Sequence, residues 1–186
     1  MDLKEEKNIV LRAQRDSQEF GLLFDEYYPK ILNYVSHRVA SIMLAEDITS
    51  ETFYIALNKL WQFRWKGISF SAWLYRIATN LISQHYRNHY KKPTFSLDNW
   101  LEKTDLELVD DLDLGQELVD AEEELQRHSD FVEVQKKLQQ LPEYYQTVIT
   151  LRYFEDKKIK EIADILGKKE GTIKSLLSRG LDLLRH

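Results

Sequence analysis

The run Phe70-Ser71-Ala72-Trp73-Leu74-Tyr75-Arg76-Ile77-Ala78-Thr79-Asn80-Leu81-Ile82 decides the fold class of this chain. Trp73, Leu74, Ile77, Ala78, Leu81 and Ile82 recur at three- and four-residue steps, the spacing that gathers apolar side chains on one face of an α-helix. The pattern predicts a helix from about Ser71 to His89, with Ser71 as its N-cap and a length of roughly 28 Å at 1.5 Å per residue. Arg76, Asn80, Gln84, Arg87, Asn88 and Lys91 then share its outer face.

The surroundings of this helix are electrically one-sided. Residues 52 to 92 contain no Asp or Glu, yet they hold Lys59, Arg64, Lys66, Arg76, Arg87, Lys91 and Lys92. Between these stand Trp61, Phe63, Trp65, Phe70, Trp73, Tyr75, Tyr86 and Tyr90. Basic groups interleaved with flat rings suit a polyanion whose bases can be stacked, as in single-stranded nucleic acid. An amphipathic helix with a solvated basic face carries the same periodicity. The loop from Phe63 to Phe70 favours the nucleic-acid reading, because it adds Trp65, Lys66 and Gly67 where a solvated face needs none of them.

Working upstream, Phe20, Leu23, Phe24, Tyr27 and Tyr28 form one helical stripe beginning near Ser17, and Pro29 suits the first turn of a second helix. That second helix directs Ile31, Leu32, Tyr34, Val35 and Val39 to a core. A third, from about Ala45 to Trp61, turns Ile48, Thr52, Phe53, Ala56, Leu57 and Leu60 inward and Glu46, Asp47, Glu51 and Lys59 outward. Strand signals are weak throughout, so an all-α chain is expected.

Downstream, the character changes after Pro93. Residues 93 to 129 hold 12 of the 31 acidic residues and 2 of the 26 Lys and Arg, which locates the acidity behind the net charge of -5 in one segment. Such a segment reads as an extended, self-repelling linker, although leucines alternate with its acids. Beyond it, Phe131, Val134, Leu138 and Leu141 form a stripe closed by Pro142, and Tyr145, Val148, Ile149, Leu151 and Tyr153 form the next. Then Ala163, Gly167 and Ile173 stand as a helix-turn-helix requires: a small residue where two helices cross, a glycine for a left-handed turn, and an apolar seal. The second helix of that pair, from about Glu170 to Leu184, leaves Lys169, Thr172, Lys174, Ser175, Ser178 and Arg179 for a major groove, with Lys168 and Gly171 at its start. The expected architecture is two small helical domains, residues 1–92 and 130–186, joined by the linker 93–129.

Composition narrows the classes further. With 186 residues and 43% hydrophobic content the chain can bury real cores, and with no cysteine it has neither a disulfide framework nor a thiolate metal site. Residues 1–8 mix both signs of charge and no apolar run approaches a membrane span, so a cytoplasmic protein without membrane insertion is expected. His85 and His89 stand at i, i+4 spacing, but no third ligand is recognisable nearby, so no metal and no other cofactor is expected. No catalytic triad or phosphate loop is visible, which argues against an enzyme.

The run Phe70 to Leu81 resembles the promoter-melting helix in region 2 of bacterial extracytoplasmic-function sigma factors. Ala45-Glu46-Asp47-Ile48 followed by Glu51-Thr52-Phe53 resembles the segment by which that region docks on core RNA polymerase, with Ser50 in place of a frequent Gln. The last segment resembles region 4, from Leu141-Pro142 to Gly171-Thr172-Ile173-Lys174-Ser175, with Leu176 in place of a common Arg. The resemblance implies a transcription initiation factor with no catalysis of its own, whose partners are core polymerase, promoter DNA and an anti-sigma factor. It implies that Trp65, Lys66, Gly67, Phe70, Arg76, Asn80, Gln84 and Arg87 meet melted minus-10 DNA. It assigns Lys168, Lys169, Gly171, Thr172, Lys174, Ser175, Ser178 and Arg179 to the minus-35 duplex, and Asp47, Ile48, Ser50, Glu51 and Phe53 to core polymerase. Trp73 reads as a core anchor. Two elements about 17 base pairs apart lie roughly 58 Å apart at 3.4 Å per pair, which a partly extended linker can span. The alternative is a stand-alone helix-turn-helix regulator with a ligand-sensing N-terminal domain, which leaves the basic aromatic stretch unexplained.

Overall fold

The computed structural model describes residues 1–39, 41–65, 68–90 and 136–185. The linker 93–129, the stripe residues Phe131 and Val134, Lys66 and Gly67, and the side chain of His89 lie outside the described residues. No strand occurs among those described, and the chain is all-α.

Four helices form the first unit: α1 (Leu3–Ala13), α2 (Phe20–Ser36), α3 (Ile42–Lys59) and α4 (Phe70–Tyr90). Helix α1 was not expected from the apolar stripes, yet its signals are present. Asp2 caps it by accepting from the backbone N–H groups of Lys4 and Glu5, and Ile9, Val10 and Ala13 are buried at helical spacing. Helix α2 also departs from expectation, running unbroken through Pro29 where two helices were expected. The reason lies in the register: Leu23, Tyr27, Ile31, Tyr34 and Val35 make one continuous buried stripe. Pro29 is on the exposed side, where water can satisfy the carbonyl it leaves without a donor.

Around Phe70, which is fully buried, the rings of Phe20, Tyr27, Phe63 and Trp73 gather with centroids 5.6 to 6.3 Å away. Phe20 and Phe63 meet it edge-to-face, as ring quadrupoles prefer, and Tyr27 and Trp73 are tilted. Leu57 was expected inside but is 41% exposed.

The second unit begins with helical residues 136–140 and continues with α5 (Glu143–Ile149), a π-helical turn (Thr150–Phe154), α6 (Ile159–Leu166) and α7 (Glu170–Arg185). Between α6 and α7, Gly167 adopts the left-handed conformation, φ 65° and ψ 35°, while the Lys168 N–H donates to the Ala163 carbonyl at 3.0 Å. Ile162, Ile165, Ile173 and Leu176 seal the pair, each 1% exposed or less. Helix α6 packs not only on α7 but also on α4 of the first unit.

Candidate nucleic-acid interface

The start of α4 is fixed from a distance. Ser69, not Ser71, caps it: its hydroxyl accepts from the Ala72 N–H at 3.1 Å and its carbonyl from Trp73. The Phe70 and Ser71 N–H groups donate instead to the carboxylate of Glu6 in α1, at 3.2 and 3.0 Å. Glu6 is 2% exposed and also accepts from the Tyr27 hydroxyl at 2.7 Å. A buried carboxylate at a helix N-terminus meets both orphan donors and the positive end of the dipole, so its charge is well compensated.

Beyond that anchored start, Asn80, Gln84 and Arg87 are exposed at i, i+4 and i+7, along one ridge of α4. Arg76 continues the ridge toward the helix start but is half-buried: its Nε donates to the Ile165 carbonyl at 2.7 Å and its Nη2 to the Asp164 carbonyl. Trp65 is half-buried against the core, edge-on to Phe63 at 6.0 Å. Phe70 must be removed from the DNA-facing set, because its ring is the centre of the aromatic cluster and has no exposed surface. Trp73 packs on Phe63 at 5.1 Å.

On α3, Asp47, Ser50 and Glu51 are exposed, whereas Ile48 and Phe53 are 5% and 3% exposed and belong to the core. The last two are therefore not surface contacts; they hold α3 against α2 and α4. Large side chains accompany the polar residues: Met43 and Tyr54 on α3, exposed by 71% and 69%, and Trp61, exposed by 65%, on the 3-10 turn Leu60–Gln62 that follows the helix. Met43, Asp47, Ser50, Tyr54 and Leu57 follow steps of four and three, one stripe along α3 that Trp61 extends onto the turn after it.

Helix α7 divides cleanly. Ile173, Leu176 and Leu177 are buried, and Lys169, Lys174 and Arg179 are exposed, with Lys168, Gly171, Thr172, Ser175 and Ser178 partly so. A helix preceded by a tight turn, with basic and hydroxyl groups on its open face, has the shape and charge to enter a major groove.

A second set of polar residues lies where the two units meet, and periodicity alone did not reveal it. Arg38 has no exposed surface; its Nη1 donates to the Thr147 hydroxyl at 2.7 Å and to Tyr34 at 3.2 Å, and its Nη2 lies 3.9 Å from the Glu143 carboxylate. Glu155 accepts from Asn33 at 2.8 Å and from the Tyr75 hydroxyl at 2.5 Å. Burial pushes the Glu155 carboxyl above the ordinary carboxylate range, against the pull of these hydrogen bonds and of Lys157. Burial also depresses His37, whose ring lies 4.4 Å from Phe154. Among the described residues, no helix is long and apolar enough to cross a membrane.

The helices that carry these two surfaces fall within known domains. Residues 23–92 match the family model described as Sigma-70 region 2, and residues 131–184 match Sigma-70, region 4, which together define a promoter-directing subunit of RNA polymerase. The chain is 33% identical over 190 residues to the ECF RNA polymerase sigma factor SigW of Bacillus subtilis, covering 100% of this chain and 97% of that one. It is 32% identical to the ECF sigma factor BldN of Streptomyces coelicolor, with 95% of this chain aligned but only 63% of that relative's length. The solved structure of the sigma factor RpoE in complex with the anti-sigma factor NepR from Bartonella quintana shares the fold. It has a TM-score of 0.63 at 20% identity and covers 90% of this chain and 95% of that one. The chain belongs to the extracytoplasmic-function family of RNA polymerase sigma factors, and it is a transcription initiation factor that directs polymerase to promoters.

Proposed function

We propose that the two surfaces divide promoter recognition between them, with α4 holding the melted minus-10 strand and α7 reading the minus-35 duplex. The exposed ridge Asn80, Gln84 and Arg87 carries the first assignment, because its groups project from a helix whose start is locked by Glu6. Trp65 lies beside that start, with Lys66 and Gly67 completing the loop in sequence. Extruding a base costs a few kcal/mol, and stacking on a ring returns about 1 to 3 kcal/mol per base. Lys169, Lys174 and Arg179, flanked by Lys168, Gly171, Thr172, Ser175 and Ser178, supply phosphate and base-edge contacts at minus-35. Asp47, Ser50 and Glu51 on α3 dock on core polymerase, which performs the chemistry.

In this reading residues 1–92 and 130–186 act as separate modules on DNA and residues 93–129 connect them. The protein works in the cytoplasm, and an anti-sigma factor is a further partner, as NepR is for RpoE in the Bartonella quintana complex. Run-off transcription with purified core polymerase, on DNA from upstream of the chain's own gene, tests the proposal. Initiation that depends on the chain is expected, and Asn80→Ala is expected to impair duplex templates at least fivefold more than a pre-melted bubble. Equal loss on both templates refutes the melting role, and absence of initiation refutes the sigma assignment.

A further inference from the structure

Helix α1 lies ahead of residue 23, where the region 2 match begins, yet it holds both ends of the segment that carries Trp65. At its C-terminal end the Gln14 side-chain amide donates to two main-chain carbonyls, those of Leu60 and Phe63, each at 2.9 Å. Near its start, Glu6 accepts from the main-chain N–H groups of Phe70 and Ser71. The two anchors stand eight residues apart in sequence on α1 and its C-cap, about 12 Å at 1.5 Å per residue. Only six residues, 64 to 69, bridge Phe63 and Phe70. The span between those two stems is therefore set by α1 and not by the residues that cross it.

All four bonds go to backbone, so they fix where the stems run without dictating which side chains the segment carries. The rings of Phe63, Phe70 and Trp73 also pack together, with centroids 5.1 to 5.7 Å apart. Apolar contact is non-directional and tolerates sliding, whereas a hydrogen bond weakens steeply as its angle closes. Gln14 thereby sets the position of Phe63, whose ring meets Trp65 edge-on at 6.0 Å. Glu6 sets the start of α4, and with it the ridge of Asn80, Gln84 and Arg87. One helix thus holds the ring and the ridge in a common frame. Binding groups work when held within about 0.5 Å of their productive positions, and stems pinned beforehand leave less ordering to be done on binding.

We propose that Glu6 and Gln14 are positioning residues for minus-10 recognition: α1 presets the placement of Trp65 relative to the α4 ridge, so that one extruded base and the adjoining strand are met together. This inference rests on the minus-10 reading of Trp65 and α4, and it extends that reading to a helix of which no DNA contact is required. It also separates two tasks within residues 63 to 71. Their backbone is held from α1, and their side chains are left to set base preference.

The test uses the full chain in holoenzyme, with core polymerase saturated by each variant so that docking does not limit the rate. Run-off initiation is measured on DNA from upstream of the chain's own gene, as duplex and as a pre-melted bubble. Gln14→Met keeps the length of the side chain and removes both donors; it is expected to slow initiation about fivefold on the duplex and less than about twofold on the bubble. Gln14→Glu, of nearly the same shape, sets an acceptor against two carbonyls and should lose at least as much. Glu6→Gln keeps one oxygen for Tyr27 and Ser71 and withdraws the acceptor from Phe70, so it should favour the bubble in the same way. The decisive measurement is a cycle with Trp65→Ala. In that background Gln14→Met should add less than about twofold, a coupling that general loosening of the fold does not produce. Circular dichroism checks each protein, and if one Gln14 variant is not native the other carries the cycle. Full duplex activity of the Gln14 variants, or losses that multiply with that of Trp65→Ala, overturn the proposal and leave the minus-10 reading standing. An unchanged duplex rate for Trp65→Ala itself refutes the minus-10 reading of that ring, and the proposal falls with it.

Discussion

Two glycines make opposite predictions for the same substitution. Gly180 lies in α7 where it crosses α5, and a Cβ there would stand 2.9 Å from Ile149 Cδ1, 3.2 Å from Tyr145 Cδ1 and 3.3 Å from Tyr145 Cβ. Gly21 lies in the first turn of α2, where a Cβ would meet nothing within 4 Å. Alanine in place of glycine favours a helix by about 0.8 to 1 kcal/mol, toward the low end near a terminus. At Gly180 that gain is opposed by overpacking of about 1 to 3 kcal/mol, because Tyr145 Cβ is tied to backbone and Ile149 is itself buried. Gly180→Ala is therefore expected to destabilise by about 1 kcal/mol, while Gly21→Ala stabilises by about 0.5 kcal/mol. With a urea slope of about 2 kcal/mol/M, the midpoints should move by about -0.5 M and +0.25 M. The nearest clash can be relieved independently: Ile149→Val deletes Cδ1, so its own cost should shrink or vanish in the Gly180→Ala background. A Gly180→Ala midpoint equal to or above the parent's refutes the claim that helix approach at this crossing requires glycine.

Removing the carboxylate that starts α4, by Glu6→Ala, should cost about 3 kcal/mol, since two backbone donors and a buried hydroxyl lose an ionised acceptor; a loss below about 1 kcal/mol in urea unfolding counts against that role. Tyr54→Ala on α3 and Trp61→Ala on the turn after it should leave the melting temperature unchanged and weaken core polymerase binding about tenfold by fluorescence anisotropy, or about 1.4 kcal/mol. Unaltered affinity moves the docking surface elsewhere. The junction between the units should respond to pH in two opposed ways. Glu155, raised by burial, loses stabilisation as pH rises above about 4.3, and His37, lowered by burial, loses it as pH falls below about 6.5. Melting temperatures of Glu155→Gln should keep only the His37 slope and those of His37→Gln only the Glu155 slope; identical profiles for both variants would sink the assignment.

The helix-turn-helix was legible because its constraints are local: Ala163, Gly167 and Ile173 have fixed offsets that one turn enforces. The α4 ridge was legible for the same reason, as Asn80, Gln84 and Arg87 follow from periodicity alone. Pro29 misled because sequence cannot say which side of a helix faces water, and on the wet side a proline does not end it. Ile48, Phe53 and Phe70 sit within motifs that resemble functional ones, but their side chains point inward and support the surface instead of forming it. The junction was beyond reach, since Arg38 with Thr147 and Asn33 with Glu155 pair across more than a hundred residues. A trace of it was nonetheless present. Glu6 precedes Ile9 and Val10, and Arg38 follows Tyr34 and Val35, at the steps where a helix would place an apolar residue. A charge in an apolar register calls for a partner from elsewhere in the chain.

Glu6 also fixes an order of events during synthesis. Its two backbone donors lie 64 and 65 positions downstream, so at a ribosome speed of about 5 to 20 residues per second the carboxylate waits roughly 3 to 13 seconds for them. Until then a charged group sits on the apolar side of α1 and opposes its docking. The N-terminal unit is consequently discouraged from closing on an incomplete nascent chain, and it begins ahead of residue 23, where the region 2 match starts. A fragment cut at that residue would lack the carboxylate that anchors the start of α4.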